Sequence, residues 1–167
     1  MRLPAQLLHR KAKTHKGDYG HILILAGSSR FSGAALLCAE AAMRSGAGLV
    51  TLGAPISISL ALLKIKPKEV MSLPLEETKE GTLSLRAFDK ISSILKRVNV
   101  LIIGPGLGDN KSTYSLIRKV IQNCAHPMVI DADALNALNN NLKILKRHVF
   151  EIVLTPHEKE LSRLFGL

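Results

Sequence analysis

Apolar and polar residues in this chain alternate by segment rather than by single residue. Predominantly apolar runs occur at His21 to Leu25, where there is no polar alternation, and at Leu49 to Gly53, Val98 to Ile103, Pro127 to Ile130 and Ile152 to Leu154. Such runs suit strands covered on both faces, as in a parallel sheet. Val70 to Pro74 reads as a further strand, placed at an edge by its proline. The intervening segments carry helical spacing. One starts at Ala34, is rich in Ala and Leu, and is closed by Gly46 and Gly48; a second runs from Pro55 and Ser57 to Leu63. A third, Ser84 to Arg97, aligns Leu85, Phe88, Ile91, Ile94 and Leu95 on one stripe, and a fourth follows a cap at Asp109 or Asn110 and ends near Asn123. Leu75 to Thr82 is polar and loop-like. Strand, loop and helix recurring in this order predict an α/β fold, a mostly parallel sheet with helices on both faces.

Chemistry-bearing residues gather where strands end. After the first run come Gly27, Ser28, Ser29, Ser32 and Gly33; after Ile103 comes Gly104-Pro105-Gly106-Leu107-Gly108. After Ile130 stand Asp131, Asp133 and Asn136, and after Leu154 stands Thr155-Pro156-His157-Glu158. A glycine loop feeding a helix N-terminus exposes backbone N–H groups to an anion, and glycines let a ligand approach bare backbone. Each stretch also reads as an ordinary tight turn, Asp133 as the cap of the next helix, and His157 as a structural histidine. Asp131, at the strand tip, suits a metal-bound phosphate or a substrate hydroxyl better. Lys16, in the basic lead-in before the first strand, reads equally as a phosphate ligand or as a solvated lysine. Because carboxyl ends of parallel strands share one edge, the clusters together predict a ligand crevice there.

Composition narrows the class. The 167 residues suffice for one domain, and a hydrophobic share of 47% supports a folded core. No apolar run is long enough to span a bilayer, and Met1 to Ala5 carries no signal-peptide core. Cys38 and Cys124 lack metal-ligand spacing and read as reduced core thiols of a cytoplasmic protein. The formal net charge of +10 is scattered, from Arg10, Lys11, Lys13 and Lys16 to Lys143, Lys146 and Arg147, and the chain has no Trp for base stacking. A surface attractive to small anions fits this better than a nucleic-acid interface.

In combination, the stretches HKGDYGHILILAGSSRFSGAALLCAEAAMRSGAGLVTLG, GPGLG, VIDADALNAL and LTPHEKELSRLFG resemble the NAD(P)H-hydrate dehydratase family. The likeness runs from about His15 to Gly166. It implies a ribokinase-like three-layer sandwich and the repair of hydrated NADH and NADPH, with ADP or ATP as phosphoryl donor and Mg²⁺. In the implied mechanism the ring hydroxyl is phosphorylated and then eliminated as phosphate. By motif, Gly33, Ala34, Ala35, Gly104, Gly106 and His157 would contact the hydrated dinucleotide, while Asp131, Asp133 and Asn136 would support the phosphate or metal. The partners implied are the hydrated substrate, an NAD(P)H-hydrate epimerase and further copies of the chain, with no nucleic acid and no membrane.

Two departures from the family pattern stand out. Glu158-Lys159-Glu160 replaces the usual Pro-Gly-Glu after the histidine, although Glu160 keeps the acidic position. Family members also continue for a domain-scale length of roughly a hundred residues, into a glycine-threonine-glycine-aspartate loop that bears the catalytic base. The resemblance therefore reads residues 1–167 as the N-terminal portion of one dehydratase domain truncated at its C-terminus, with the catalytic aspartate beyond Leu167. It further implies an unpaired sheet edge, uncovered helix faces and no activity of these residues alone. Another ribokinase-like kinase, of hydroxyethylthiazole or pyridoxal type, and a non-catalytic dinucleotide-binding remnant are the competing readings.

Overall fold

The computed structural model describes residues 12–166, so Met1 to Ala5, Arg10, Lys11 and Leu167 lie outside the described residues. The strands are β1 (His21–Leu25), β2 (Leu49–Pro55), β3 (Met71–Leu75), β4 (Val100–Ile103), β5 (Met128–Ile130) and β6 (Ile152–Leu154). The helices are α1 (Ser32–Arg44), α2 (Ile56–Leu62), α3 (Phe88–Leu95), α4 (Lys111–Asn123), α5 (Asp133–Ala137) and α6 (Glu158–Phe165). Each apolar run named above contributes a strand, and in β1 and β2 most side chains are buried on both faces of the sheet. All pairings are parallel, in the order β3-β2-β1-β4-β5-β6. The chain thus winds outward from β1 to β3, then returns to lay β4 on the other side of β1. That reversal creates a switch point between β1 and β4 at the carboxyl edge, from which the chain leaves toward α1 on one face of the sheet and α4 on the other.

Alternate residues of the central strands enter two separate cores. Leu23, Leu25, Leu101, Ile103, Met128 and Ile130 face one way and pack with Ile91, Leu116 and Ile117 of α3 and α4. Ile24, Val50 and Leu52 face the other way, against Ala35, Ala39 and Ala42 of α1 and Ile58 of α2. The result is the expected three-layer sandwich. The second face is covered unevenly: Ile102 and Val129 are only partly buried and Val153 is 53% exposed, while β6 forms a sheet edge among the described residues. No helix among the described residues is long and apolar enough to cross a membrane.

Three details differ from expectation. Gly46, with φ 98°, follows the C-cap Ser45 and ends α1, but Gly48 does not belong to that cap. A Cβ on Gly48 would lie 1.7 Å from the Lys16 carbonyl oxygen, so it is the close passage of the lead-in that requires glycine there. That contact puts Lys16, in the 3-10 turn Lys16–Tyr19, at the amino edge beside the starts of β1 and β2. Lys16 is therefore at the opposite edge from the crevice. Finally, the polar stretch after β3 is organised: Glu77 and Leu83 form an antiparallel bridge, and the buried Thr113 hydroxyl donates to the Leu83 carbonyl at 2.7 Å and is hydrogen-bonded with the Thr82 hydroxyl at 2.8 Å.

Candidate functional site

The loops after β1 and β4 meet at the switch point. The Gly27 N–H donates to the Pro105 carbonyl at 2.8 Å, and the Gly104 N–H to the Leu25 carbonyl at 3.1 Å. Gly104 has φ 132°, and a Cβ there would stand 1.7 Å from the Asp131 carbonyl oxygen. Gly106 has φ 68°, with its would-be Cβ 2.8 Å from Phe31 Cβ and 2.9 Å from Ala34 Cβ. The β4 loop is thus sealed against the start of α1 on one side and the β5 loop on the other. Gly33 is different, being exposed with no atom within 4 Å of a built Cβ. Ala34 is half-buried. Ala35 is fully buried, and what it contributes is packing: a Cβ on Gly27 would lie 2.8 Å from its own.

The acidic stretch after β5 extends the same rim. Asp131 Oδ1 accepts from the Thr155 hydroxyl at 2.7 Å, tying the β5 and β6 ends together. Asp133 does not cap α5. The N-cap is Ala132, with φ 48° and no side-chain bond, and Asp133 is the first helical residue. Its Oδ2 instead accepts from the Gly108 N–H at 2.8 Å, which anchors the third glycine of GPGLG, and its Oδ1 lies 3.4 Å from Asn136 Nδ2. Helix spacing put a carboxylate where the loop needed an acceptor, and a one-dimensional reading cannot see that partner. Asn136 Oδ1 in turn accepts from Arg163 of α6 at 3.1 Å.

His157 caps α6. Its Nδ1 accepts from the Glu160 N–H at 3.4 Å, and Glu160 Oε2 accepts from the His157 N–H at 3.0 Å, a reciprocal capping box. This explains why Glu160 holds its acidic position although the residues before it depart from the family pattern. Glu160 is buried at 8% exposure; the imidazole beside it is 62% exposed at the rim.

Beside the rim lies a cleft of about 440 Å³. Arg30 and Phe31 of the β1 loop, Tyr114 of α4 and Arg163 of α6 line it together with Asp133 and Asn136. Arg30, Tyr114 and Arg163 were not singled out in the sequence. Their only mark there is position, Arg30 inside the glycine-serine loop and the other two on helices that face the rim. Burial, then the carboxylates of Asp133 and Asp109, push the Tyr114 phenol up, so it stays protonated and can donate. The bridge segment after β3 steadies this region through the Ser29 N–H, which donates to the Gly81 carbonyl at 2.9 Å. Cys38 lines a separate cleft on the α1 face with Asp131. Burial and then that carboxylate push its thiol up to about 11, which rules it out as a thiolate nucleophile near neutral pH. Cys38 and Cys124 form no disulfide; Cys124 is buried as a core thiol should be, whereas Cys38 is only partly buried. Among the described residues, no group of three or more His, Cys, Asp and Glu is arranged to hold a metal ion.

Comparison with known proteins agrees with this geometry. The profile described as NAD(P)H-hydrate dehydratase matches residues 22–167. The chain is 42% identical over 162 residues to the bifunctional NAD(P)H-hydrate repair enzyme Nnr of Moorella thermoacetica, covering 97% of this chain and 30% of that protein. It is 34% identical over 163 residues to the ADP-dependent (S)-NAD(P)H-hydrate dehydratase of Lactiplantibacillus plantarum, covering 96% and 54%. A crystal structure of the ADP/ATP-dependent NAD(P)H-hydrate dehydratase of Bacillus subtilis, co-crystallized with ATP/Mg²⁺, superposes with a TM-score of 0.73 at 28% identity, over 95% of this chain and 51% of that one. The chain thus spans about a third to a half of the length of these relatives. A profile match across most of the sequence, together with the parallel sheet and its sealed glycine loops, shows that this chain belongs to the NAD(P)H-hydrate dehydratase family.

Proposed function

We propose that this chain forms the dinucleotide-binding part of an ADP-dependent (S)-NAD(P)H-hydrate dehydratase, a hydro-lyase of nucleotide repair. The observation that carries the reading is the sealed meeting of the β1, β4 and β5 loops at the switch point, with Gly33 left open beside them. In this reading Gly33, Ala34 and Gly106 present backbone to the hydrated dinucleotide, and the exposed imidazole of His157 closes over it. Ala35, Gly104, Asp133 and Asn136 hold those surfaces in register, and Asp131 lies at the strand tip facing the same edge. Hydroxide leaves poorly and phosphate leaves well, so esterifying the ring hydroxyl makes its elimination feasible. ADP, or ATP in its place, supplies that phosphoryl group, and what this rim contributes is position and exclusion of water. Asp133 is engaged by the Gly108 N–H and Asn136, and Asp131 by Thr155 through Oδ1, so in this reading they support the phosphate mainly by anchoring the rim, and Mg²⁺ would enter with the nucleotide. An epimerase partner, self-association and a cytoplasmic setting complete the proposal; the bifunctional naming of relatives supports the first of these.

The test supplies ADP, Mg²⁺ and hydrated NADH and follows return of the NADH absorbance. Recovery supports the dehydratase. Phosphorylation of hydroxyethylthiazole or pyridoxal without recovery assigns the protein to another ribokinase-like kinase. Binding of the hydrate with no turnover of any of these substrates assigns a non-catalytic dinucleotide-binding role only if a protein of the relatives' full length also turns none of them over, since these residues alone are expected to bind without turnover.

A further inference from the structure

We propose that the cleft beside the rim recognises a phosphorylated ribose, and that Arg30 and Arg163 thereby give the protein a preference for the NADPH form of the dinucleotide over the NADH form. The proposal rests on the dinucleotide reading above and adds the residues that would tell the two forms apart. Two guanidinium groups reach this cleft from separate elements, the β1 loop and α6. Neither takes part in any ion pair among the described residues, whose ion pairs involve other side chains. Arg30 lies 5.6 Å from the centroid of the Phe31 ring, an arrangement that holds the guanidinium plane while leaving N–H donors at its edge. Arg163 uses Nη1 on Asn136 Oδ1, which fixes it in the cleft wall with further donors to spare. Fork-shaped, permanently charged donors match the oxygens of a phosphomonoester better than any neutral group does.

The other side of the cleft limits what else the ligand can be. Asp133 also lines the cleft, with its carboxylate oxygens engaged by Gly108 and Asn136, whereas Asp109 is exposed at the cleft wall. A carboxylate there accepts from sugar hydroxyls and repels phosphate. The ligand that satisfies both signs carries hydroxyls next to a phosphate, as a phosphorylated ribose does. The protonated Tyr114 phenol offers a further donor. A volume of about 440 Å³ accommodates a fragment of that size, within the range of small-molecule sites. NADH and NADPH share every other group, so a phosphate on the ribose is the only feature by which this cleft could separate them.

Isothermal titration of the protein with NADPH and with NADH tests the proposal, repeated on Arg30→Gln and Arg163→Gln. The unaltered protein is expected to bind NADPH at least about tenfold more tightly, and each variant to lose most of that margin while its NADH affinity stays within about twofold. The margin should shrink as salt is added, because it comes from charge. Arg30→Lys should retain part of it, since it keeps the charge and loses the fork. Both arginines are exposed, so thermal unfolding of the variants should match the parent. Equal affinity for the two dinucleotides in the unaltered protein overturns this proposal and leaves the rim reading standing. Variants that weaken both dinucleotides alike overturn it too, and assign the arginines to the shared phosphates. If the unaltered protein binds neither, the rim reading itself fails and this inference with it.

Discussion

The loops after β1 and β4 both carry a parallel strand into a helix, and both are marked by glycine. In the β4 loop Gly104, Gly106 and Gly108 all have positive φ, and a side chain on any of them would meet atoms of the protein at 3.0 Å or less. After β1, Gly27 is crowded in the same way, with φ 85° and its would-be Cβ 2.8 Å from Ala35 Cβ, whereas Gly33, where the loop enters α1, has an ordinary φ and faces open space. The first set is therefore demanded by the fold itself. Nothing inside the molecule demands Gly33, so a reason for it has to be sought outside, in whatever lies against the first turn of α1. Glycine-rich loops are commonly read as ligand cradles as a block. Here the crowded glycines build the rim and the uncrowded one faces outward from it.

This difference fixes the order of expected effects. Gly104→Ala should be the most damaging change. The new Cβ would overlap the Asp131 carbonyl, which belongs to backbone and cannot rotate away, and alanine is strained at φ 132°. A loss of roughly 4 kcal/mol is expected in chemical denaturation, a large part of a domain's stability. A stability change under about 1 kcal/mol would mean that the β4–β5 seam yields and that the rim is softer than described. Gly106→Ala comes next, at roughly 2 kcal/mol, from left-handed backbone strain and contact with Phe31 and Ala34. Any loss of dinucleotide binding in that variant follows from displacement of α1, so Gly106 is a poor probe of direct ligand contact.

Much of this architecture was legible in the chain. Uninterrupted apolar runs such as Ile22 to Leu25 and Leu101 to Ile103 gave the strands because a doubly covered strand has no polar face to display. Punctuation by Gly and Pro then gave the carboxyl-edge clusters. What was not legible depended on partners distant in sequence. Asp133 read either as a helix cap or as support for a phosphate or metal, yet its Oδ2 accepts from the Gly108 N–H, 25 positions away. Gly48 seemed to belong to the α1 cap, yet it answers to Lys16 across the amino edge. Arg30 and Arg163 are ordinary charged residues until the fold brings a loop and the final helix to one cleft. The capping box at His157 and Glu160 has a local spacing of three, yet only the acidic position of Glu160 was legible in the chain, not the cap.

His157 carries both kinds of role, which makes it separable by choice of substitution. His157→Ala removes the α6 cap and should cost about 1 kcal/mol, together with about a tenfold loss of dinucleotide affinity. His157→Asn supplies another capping side chain without an imidazole. Stability should return and affinity should not. If asparagine restores both, the histidine serves only α6, and the rim loses its fourth corner.

Gly33→Ala has the smallest expected effect on the fold and is the sharpest test of the contrast between the loops. The position is the second residue of α1, its φ is accessible to alanine, and the added methyl meets no protein atom within 4 Å. Alanine also restricts the unfolded chain and favours helix, so stability should hold or rise by about 0.5 kcal/mol. Dinucleotide affinity should nonetheless fall by about tenfold, because the methyl would stand where the ligand approaches the helix N-terminus. Calorimetry and denaturation on the same preparation read both quantities. A variant that is at least as stable and binds poorly would mean that the open glycine is kept for something outside the protein. A variant that is stable and binds as the parent does would reduce Gly33 to a turn residue and move the ligand away from α1.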